Sequence, residues 1–584
     1  MTHVLRRYAG FFLAMALTQW PAPVGAQRPV QDGEPIISSA ARILPVRAAN
    51  GMVVSQEARA TRIGVDFLRR GGNAVDAAVA TAFALAVTLP RAGNIGGGGF
   101  MLVYLARERR TVAIDYRETA PADTPQDVFL DGNGNFVPAR SQSSGLGVGV
   151  PGTVAGMALA HARYGSGKFS FAQLIEPAIA LAAQGIEVDE DLAESLLAAA
   201  ARLARYPSSR AIFFRDDAHP LTWGGRLVQT DLAASLTAIA NGGAHAFYNG
   251  WIAEKIVAAA RSQGGRMTLA DMRDYRALER EPVRGTYRGR EIVSMPPPSS
   301  GGVHLIQILN ILEGWPIGDL GAGSAANLHR MSEAMKRAYA DRAEYMGDPA
   351  YAAIPLKGLL SKRYADSRRA SISLERATPA DAIARHDPYA YESDQTTHFS
   401  TADSQGNAVS NTYTLNFSYG LGMVAPGTGI LLNNELDDFA AKPGAPNAYG
   451  LLGGAANAPA PNKRPLSSMT PVMVFKDGEL EIVTGSPGGS RIITIVLQVL
   501  LNIIDHGMNA AEAGIAPRIH HQWKPDVMFA ERGFSPDTLA ILRAMGHNIR
   551  MQRAAGSAQT IHRANGVYTG ASDTRQRGAL AAGH

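Results

Sequence analysis

Chemistry in this sequence is concentrated at Asp394-Gln395-Thr396-Thr397-His398-Phe399-Ser400 and at the segment that soon follows, Gly406-Asn407-Ala408-Val409-Ser410-Asn411-Thr412-Tyr413-Thr414-Leu415-Asn416. A threonine hydroxyl is a weak nucleophile until a base stands against it. One compact base is the threonine's own α-amine, exposed by cutting the chain before it. That amine has a reference pKa of roughly 7.7–8.0, so it can take the hydroxyl proton near neutrality without a histidine. Taken alone the pair says little, because two β-branched residues opening a strand are commonplace.

Three further segments carry groups that could serve such a nucleophile. Arg117 ends a strand-turn-strand unit and can present its guanidinium fork to a carboxylate, although an ordinary ion pair fits the local sequence equally well. Pro465-Leu466-Ser467-Ser468-Met469-Thr470-Pro471 sets two hydroxyls in a proline-bounded turn. Gly485-Ser486-Pro487-Gly488-Gly489-Ser490-Arg491 opens a long apolar helix, whose unpaired backbone N–H groups suit an oxyanion. Singly, each is more often a mere cap or turn.

Other patterns fail on context. Gly147-Val148-Gly149-Val150-Pro151-Gly152 lacks the apolar strand that a dinucleotide fingerprint needs, and Gly165-Ser166-Gly167-Lys168 is followed by phenylalanine rather than serine or threonine. His520-His521 are adjacent and point to different faces, which disfavours metal ligation. A Gly-x-Ser-x-Gly elbow is absent, which weakens a serine hydrolase reading.

The elements that must position these groups follow from periodicity. Residues 56–89 have helical spacing, with Gly64 and Gly71-Gly72 predicting a break between two helices. Asn94-Ile95-Gly96-Gly97-Gly98-Gly99 leads into a strand over 100–105, with a second over 111–116. Residues 150–280 read as mostly helical. The proline-rich 295–302 segment is a loop ahead of a helix over 303–312. After Thr396 the pattern changes to short alternating strands, with a long helix over 490–504.

Composition narrows the class. The 584 residues are 46% hydrophobic and 18% charged, values of a globular chain. Residues 1–26 pair Arg6-Arg7 with an apolar run, then prolines and Val24-Gly25-Ala26, the pattern of a secretory signal peptide too short to span a bilayer. The expected mature protein is soluble, exported to the periplasm or secreted, with no membrane anchor. The formal charge of +5, two of it from the leader arginines, is too small and dispersed to argue for nucleic acid. The absence of cysteine excludes disulfides and thiolate chemistry.

Jointly these segments are far more specific than any one of them. Thr396-Thr397-His398-Phe399-Ser400, Tyr413-Thr414-Leu415-Asn416, Asn433-Asn434-Glu435-Leu436-Asp437-Asp438-Phe439, Lys463 to Met469 and Gly485 to Arg491, together with Asn94 to Phe100 and Asp115 to Thr119, closely resemble the γ-glutamyltranspeptidase (glutathione hydrolase) family, in its order and across essentially the whole mature chain. The resemblance implies an α+β fold, the four-layer αββα sandwich of N-terminal-nucleophile hydrolases. It is formed jointly by a large subunit, 27–395, and a small one, 396–584, after self-cleavage between Gln395 and Thr396. It implies Thr396 as nucleophile, Thr414 as the hydroxyl steadying it, and Gly488 and Gly489 as oxyanion donors. Arg117, Ser467 and Ser468 would bind the substrate's α-carboxylate, and Asn416, Glu435 and Asp438 its α-ammonium. Glu435 stands where some bacterial relatives carry glutamine. Residues 443–454, with Tyr449, resemble a lid loop. No metal or organic cofactor is implied; the substrates would be γ-glutamyl compounds such as glutathione, with amino acids or dipeptides as acceptors.

Two other readings stay open on sequence. A cephalosporin or glutaryl acylase could use the same scaffold, but its substrate would leave Glu435 and Asp438 without a counter-charge. A non-catalytic exported binding protein would keep the fold and stay uncut.

Overall fold

The computed structural model describes residues 43–383, 395–442 and 454–584. The leader predicted over 1–26 and Tyr449 lie outside the described residues, and of Gln395 and Thr396 only the backbone is described.

Two seven-stranded antiparallel sheets form the centre. In spatial order the first runs Leu580–Gly583, Met52–Ser55, Gln395–Ala402, Ala408–Asn416, Gly98–Leu105, Arg110–Tyr116, Leu278–Arg280. The second runs Val46–Ala48, Val567–Ser572, Gln559–Ala564, Glu479–Thr484, Val472–Lys476, Arg290–Ser294, Val283–Tyr287. Side chains of a strand alternate between faces, and here both faces are buried. Met101 and Val103 join a core with helices Ala74–Thr88, Thr153–Tyr164 and Thr230–Tyr248. Phe100, Leu102 and Tyr104 join the core shared with the second sheet, where the Tyr104 ring meets Phe475 edge-on at 4.8 Å. Helices Gly301–Leu312, Ala325–Tyr345 and Ile492–Ile504 pack into that same core with the second sheet. The result is the expected four-layer αββα sandwich.

Local chemistry explains the main helices. Ala74–Thr88 is buried at every position, as a helix apolar all round must be, and Asn73 with Asp76 closes a capping box at its start. The predicted break between the first two helices falls at Gly71-Gly72, where Gly71 has φ 86°. Gly64 does not break anything: it lies inside Ala58–Arg69, and a Cβ there would fall 2.4 Å from Thr81 Oγ1 of the second helix. Its missing side chain sets how closely the two helices approach. The helix predicted from 303 starts at Gly301, and the one predicted from 490 opens with a tight turn, Gly489–Arg491, before Ile492–Ile504.

The glycine run before the Gly98–Leu105 strand has the same cause. A Cβ on Gly97 would sit 2.0 Å from the Thr414 carbonyl oxygen, so only glycine lets this backbone lie against Ala408–Asn416. Gly97→Ala is therefore expected to cost about 1–3 kcal/mol or more of stability, read as a lowered midpoint of chemical unfolding. Gly358→Ala, in a helix with nothing within 4 Å of the added carbon, is the control and should leave the midpoint unchanged or slightly raised. Equal midpoints for the two variants would contradict this account.

Candidate active site

Arg117 follows the Arg110–Tyr116 strand and is wholly buried. Its backbone is fixed by its own N–H donating to Asp115 Oδ1 at 3.0 Å and by Tyr275 Oη donating to its carbonyl at 2.8 Å. The guanidinium then spends its fork on four acceptors. Nε donates to Pro465 O at 3.2 Å, Nη2 to Leu466 O at 3.0 Å and Asp438 Oδ2 at 2.5 Å, and Nη1 to Glu435 Oε1. A third carboxylate, Glu118, lies 3.7 Å from Nη1, and neither of its oxygens finds a hydrogen-bond partner among the described residues. Burial pushes Glu118 up to about 7 and Asp438 up to about 6, against the pull of Arg117; it drives Glu435 well above the carboxylate range. Burial also opposes the charge on Arg117, but Glu435, Asp438 and Glu118 outweigh it and hold the guanidinium firmly protonated.

Ser467 and Ser468 sit against this cage through the neighbouring Leu466 carbonyl. Ser300 donates to Ser467 O from both N and Oγ at 2.7 Å, and Met469 N donates to Ser467 Oγ at 3.1 Å. Arg342, buried in helix Ala325–Tyr345, donates from Nη2 to Ser468 Oγ at 3.0 Å and from Nε to Ser300 Oγ at 2.7 Å. A second cation thus stands behind the hydroxyl pair. Sequence reading missed it, because a helical arginine between Asp341 and Ala343 carries no local sign of facing a loop more than a hundred residues away.

The third group is built on the central strand pair. Thr396 pairs with Thr414 and Gln395 with Asn416, so a bulge falls between Gln395 and Thr396 with Leu415 as the extra residue opposite. Asn416 carries φ 71°, in the left-handed region asparagine tolerates, and its N–H donates to Thr414 Oγ1 at 2.9 Å. Its Nδ2 donates to Asn434 O at 2.9 Å, and its Oδ1 is buried without a partner among the described residues. Asn94 secures the other side: Nδ2 donates to Thr414 O at 2.9 Å, while Oδ1 accepts from Gly97 N at 2.8 Å and Thr153 Oγ1 at 2.9 Å. Asn433 Oδ1 accepts from Gly149 N and from Glu435 N, and its Nδ2 donates to Gly96 O. Asn433 and Asn94 lie in the segments that resemble the family, and each is a strut for the residues around it.

Of the Gln395–Ala402 strand, the neighbour Met52–Ser55 pairs with 399–402 alone. Among the described residues, backbone at 395–398 therefore has a ladder on one side only. His398 is neutral, burial pulling it down to about 3, and its ring bonds Thr412 and Ser400. A Cβ on Gly485 would fall 2.4 Å from that ring, which brings the glycine loop of the second sheet onto the Gln395–Ala402 strand. Gly488 then has φ 139° and Gly489 φ 56°, conformations suited to glycine, immediately before the helix N-terminus.

His520 and His521, set aside as metal ligands on sequence, have separate partners, Thr494 with Gln522 and Asp526 respectively. One buried cluster, His329, Glu333 and His547, has its ligand atoms within 4.8 Å of one another. Glu333 already pairs with Lys336 at 3.0 Å and Arg337 at 2.8 Å, so a divalent cation there would meet two positive charges.

The family described as gamma-glutamyltranspeptidase matches residues 60–583. The chain is 51% identical over 542 residues to the glutathione hydrolase proenzyme of Escherichia coli (strain K12), covering 92% of this chain and 93% of that one. The structure is similar to that of cephalosporin acylase from Bacillus halodurans, with a TM-score of 0.82 and 28% identity, over 94% of this chain and 99% of that chain. It is also similar to gamma-glutamyltranspeptidase of Helicobacter pylori, with a TM-score of 0.56 and 44% identity, over 59% of this chain and 96% of that chain.

Arg117→Ala would leave three buried carboxylates without their shared cation, a loss worth about 3–5 kcal/mol. Those groups titrate above the ordinary carboxylate value when folded, so without Arg117 the folded state binds more protons than wild type does. The destabilisation should be smaller at pH 5 and grow through the window from about 6 to about 7 set by Asp438 and Glu118. Thermal unfolding of both proteins across this range checks it; a penalty independent of pH would contradict the cage.

Proposed function

The chain belongs to the γ-glutamyltranspeptidase family, and from that premise we propose how its own residues hydrolyse glutathione and related γ-glutamyl amides. It is an enzyme of the glutathione hydrolase and γ-glutamyltransferase class. It is made as a proenzyme. The reading assigns the cut to the bond between Gln395 and Thr396, giving a large part up to 395 and a small part from 396. The bulge at that bond, in a stretch paired on one side only, supports the assignment.

In the mature enzyme the Thr396 hydroxyl attacks the γ-carbonyl carbon while the Thr396 α-amine takes its proton. The carbonyl oxygen becomes an oxyanion facing the N–H groups of Gly488 and Gly489, each such donor being worth about 10²–10³ in rate. Collapse breaks the γ-amide bond; the leaving amine carries away the proton, and a γ-glutamyl ester stays on Thr396. Water, or the amine of an amino acid or dipeptide, then attacks that ester and restores the hydroxyl. Thr414 Oγ1 steadies the strand turn beside Thr396.

The single observation that carries the substrate class is the buried cage: Arg117 with Ser467 and Ser468 on one hand, Glu435 and Asp438 on the other. An α-carboxylate and an α-ammonium on one carbon complement such a pair of opposite charges. A glutaryl group, lacking the ammonium, would leave two carboxylates against Arg117 uncompensated, which disfavours the acylase reading despite the shared scaffold. Export follows from the leader pattern over 1–26; among the described residues no helix is long and apolar enough to cross a membrane.

Denaturing electrophoresis with N-terminal sequencing tests the mechanism. Wild type should give two fragments, the smaller starting at Thr396, and Thr396→Ala a single uncut chain without activity. A small fragment starting elsewhere would refute Thr396 as nucleophile. Turnover of γ-glutamyl anilide should exceed that of glutaryl anilide by at least about 10²-fold, the cost of roughly 3 kcal/mol for an unpaired buried charge; a preference for glutaryl would favour the acylase.

A further inference from the structure

Glu118 has no task in the mechanism above, yet it lies in the cage. It is fully buried, 3.7 Å from Arg117 Nη1, and neither oxygen is hydrogen-bonded among the described residues. Glycines wall it in: a Cβ on Gly98 would fall 2.8 Å from its carboxylate, and one on Gly149 2.9 Å from its Cβ. The charged groups facing it are Arg117, Asp115, Glu435 and Asp438, and the phenols are Tyr116, Tyr248 and Tyr275, all three kept protonated by burial. Asp115 is already met by Arg280 at 2.7 Å and Arg464 at 3.4 Å. Arg342 bonds the serine side of the cage, and its charge also acts on Asp438. Glu118 and Glu435 therefore rely on the one guanidinium that Asp438 also engages, and buried like charges this close cannot all ionise.

We propose that Glu118 is a specificity-determining residue that shares one proton with Glu435 before the donor binds, and that the donor's α-ammonium displaces this proton to solvent. The inference rests on the γ-glutamyl reading. The ammonium supplies a second cation to Glu118 and Glu435, while the donor's own carboxylate goes to Arg117, Ser467 and Ser468, with Arg342 behind them. The carboxylic O–H bond breaks, its proton passes to water, and the ammonium donates to the carboxylate left behind. A ligand without an ammonium cannot release the proton. Donor affinity then rises with pH, by up to about tenfold per unit while the shared proton is still bound.

Isothermal titration of the processed enzyme with L-glutamate, at about pH 6.5 in two buffers of different ionisation enthalpy, counts the protons released. Wild type should release roughly half a proton or more, and Glu118→Gln none beyond what the Thr396 α-amine contributes to both. Glu435→Gln, which removes the other partner, should behave likewise and serves where Glu118→Gln does not mature. The donor KM should fall from pH 6 to 8 in wild type and be flat in either variant. Equal proton release in wild type and variants, or none in wild type, overturns the proposal. Either result with γ-glutamyl turnover intact leaves the family reading standing; loss of γ-glutamyl turnover from wild type would overturn that reading instead.

Discussion

A guanidinium sealed from water needs anions, and carboxylates sealed from water need a cation; Arg117 is where both needs are met. Its fork reaches Glu435 and Asp438 from a short helical turn and two carbonyls from the serine turn. These segments are far apart in sequence, so one side chain fixes their mutual position. Breaking such a contact costs far more than a surface ion pair, because each partner left behind is a buried, uncompensated charge. The struts Asn94, Asn433 and Arg342 hold the surrounding backbone so that the fork and its acceptors stay in line.

Much of this was legible in the sequence, and what was not has a common cause. The apolar run over 100–105, the second strand over 111–116, the proline loop and the apolar helix after Gly489 depend on local sequence pattern and appear where expected. Arg117, Glu435, Asp438, Ser467 and Ser468 were legible through the joint pattern, and the structure gathers them around one cage. Gly64 was misread because a glycine that breaks a helix and one that lets two helices touch look alike in one dimension; only Thr81 distinguishes them. Arg342 and Ser300 were missed because their partners lie in other segments. The third carboxylate, Glu118, lies in the Asp115 to Thr119 segment, but its lack of a hydrogen-bond partner among the described residues is a property of the enclosure.

The scaffold and the specificity separate along physical lines. A cephalosporin acylase shares the layers of this fold at 28% identity, so sheets and helices do not choose the substrate. On the function proposed above, the choice falls to charges within the cage, where the low-dielectric surroundings magnify the difference between a zwitterion and a lone anion. One such charge more or less changes which head group can be desolvated without loss.

The sheets interleave chain from either side of the Gln395–Thr396 bond. In the first, Met52–Ser55 lies between Leu580–Gly583 and Gln395–Ala402; in the second, Val46–Ala48 and Arg290–Ser294 flank four later strands. Severing that bond removes none of these ladders, so the two pieces could part only by unzipping whole strands from buried neighbours. With the cut proposed above, the covalent link would be a folding aid whose job ends once the sheets close: it lowers the entropy cost of bringing the halves together, as a loop does. Afterwards the pair would be held by a kinetic barrier to strand separation rather than by an affinity. Mixed from separately made halves, the same two pieces would face an assembly problem that the uncut precursor never meets.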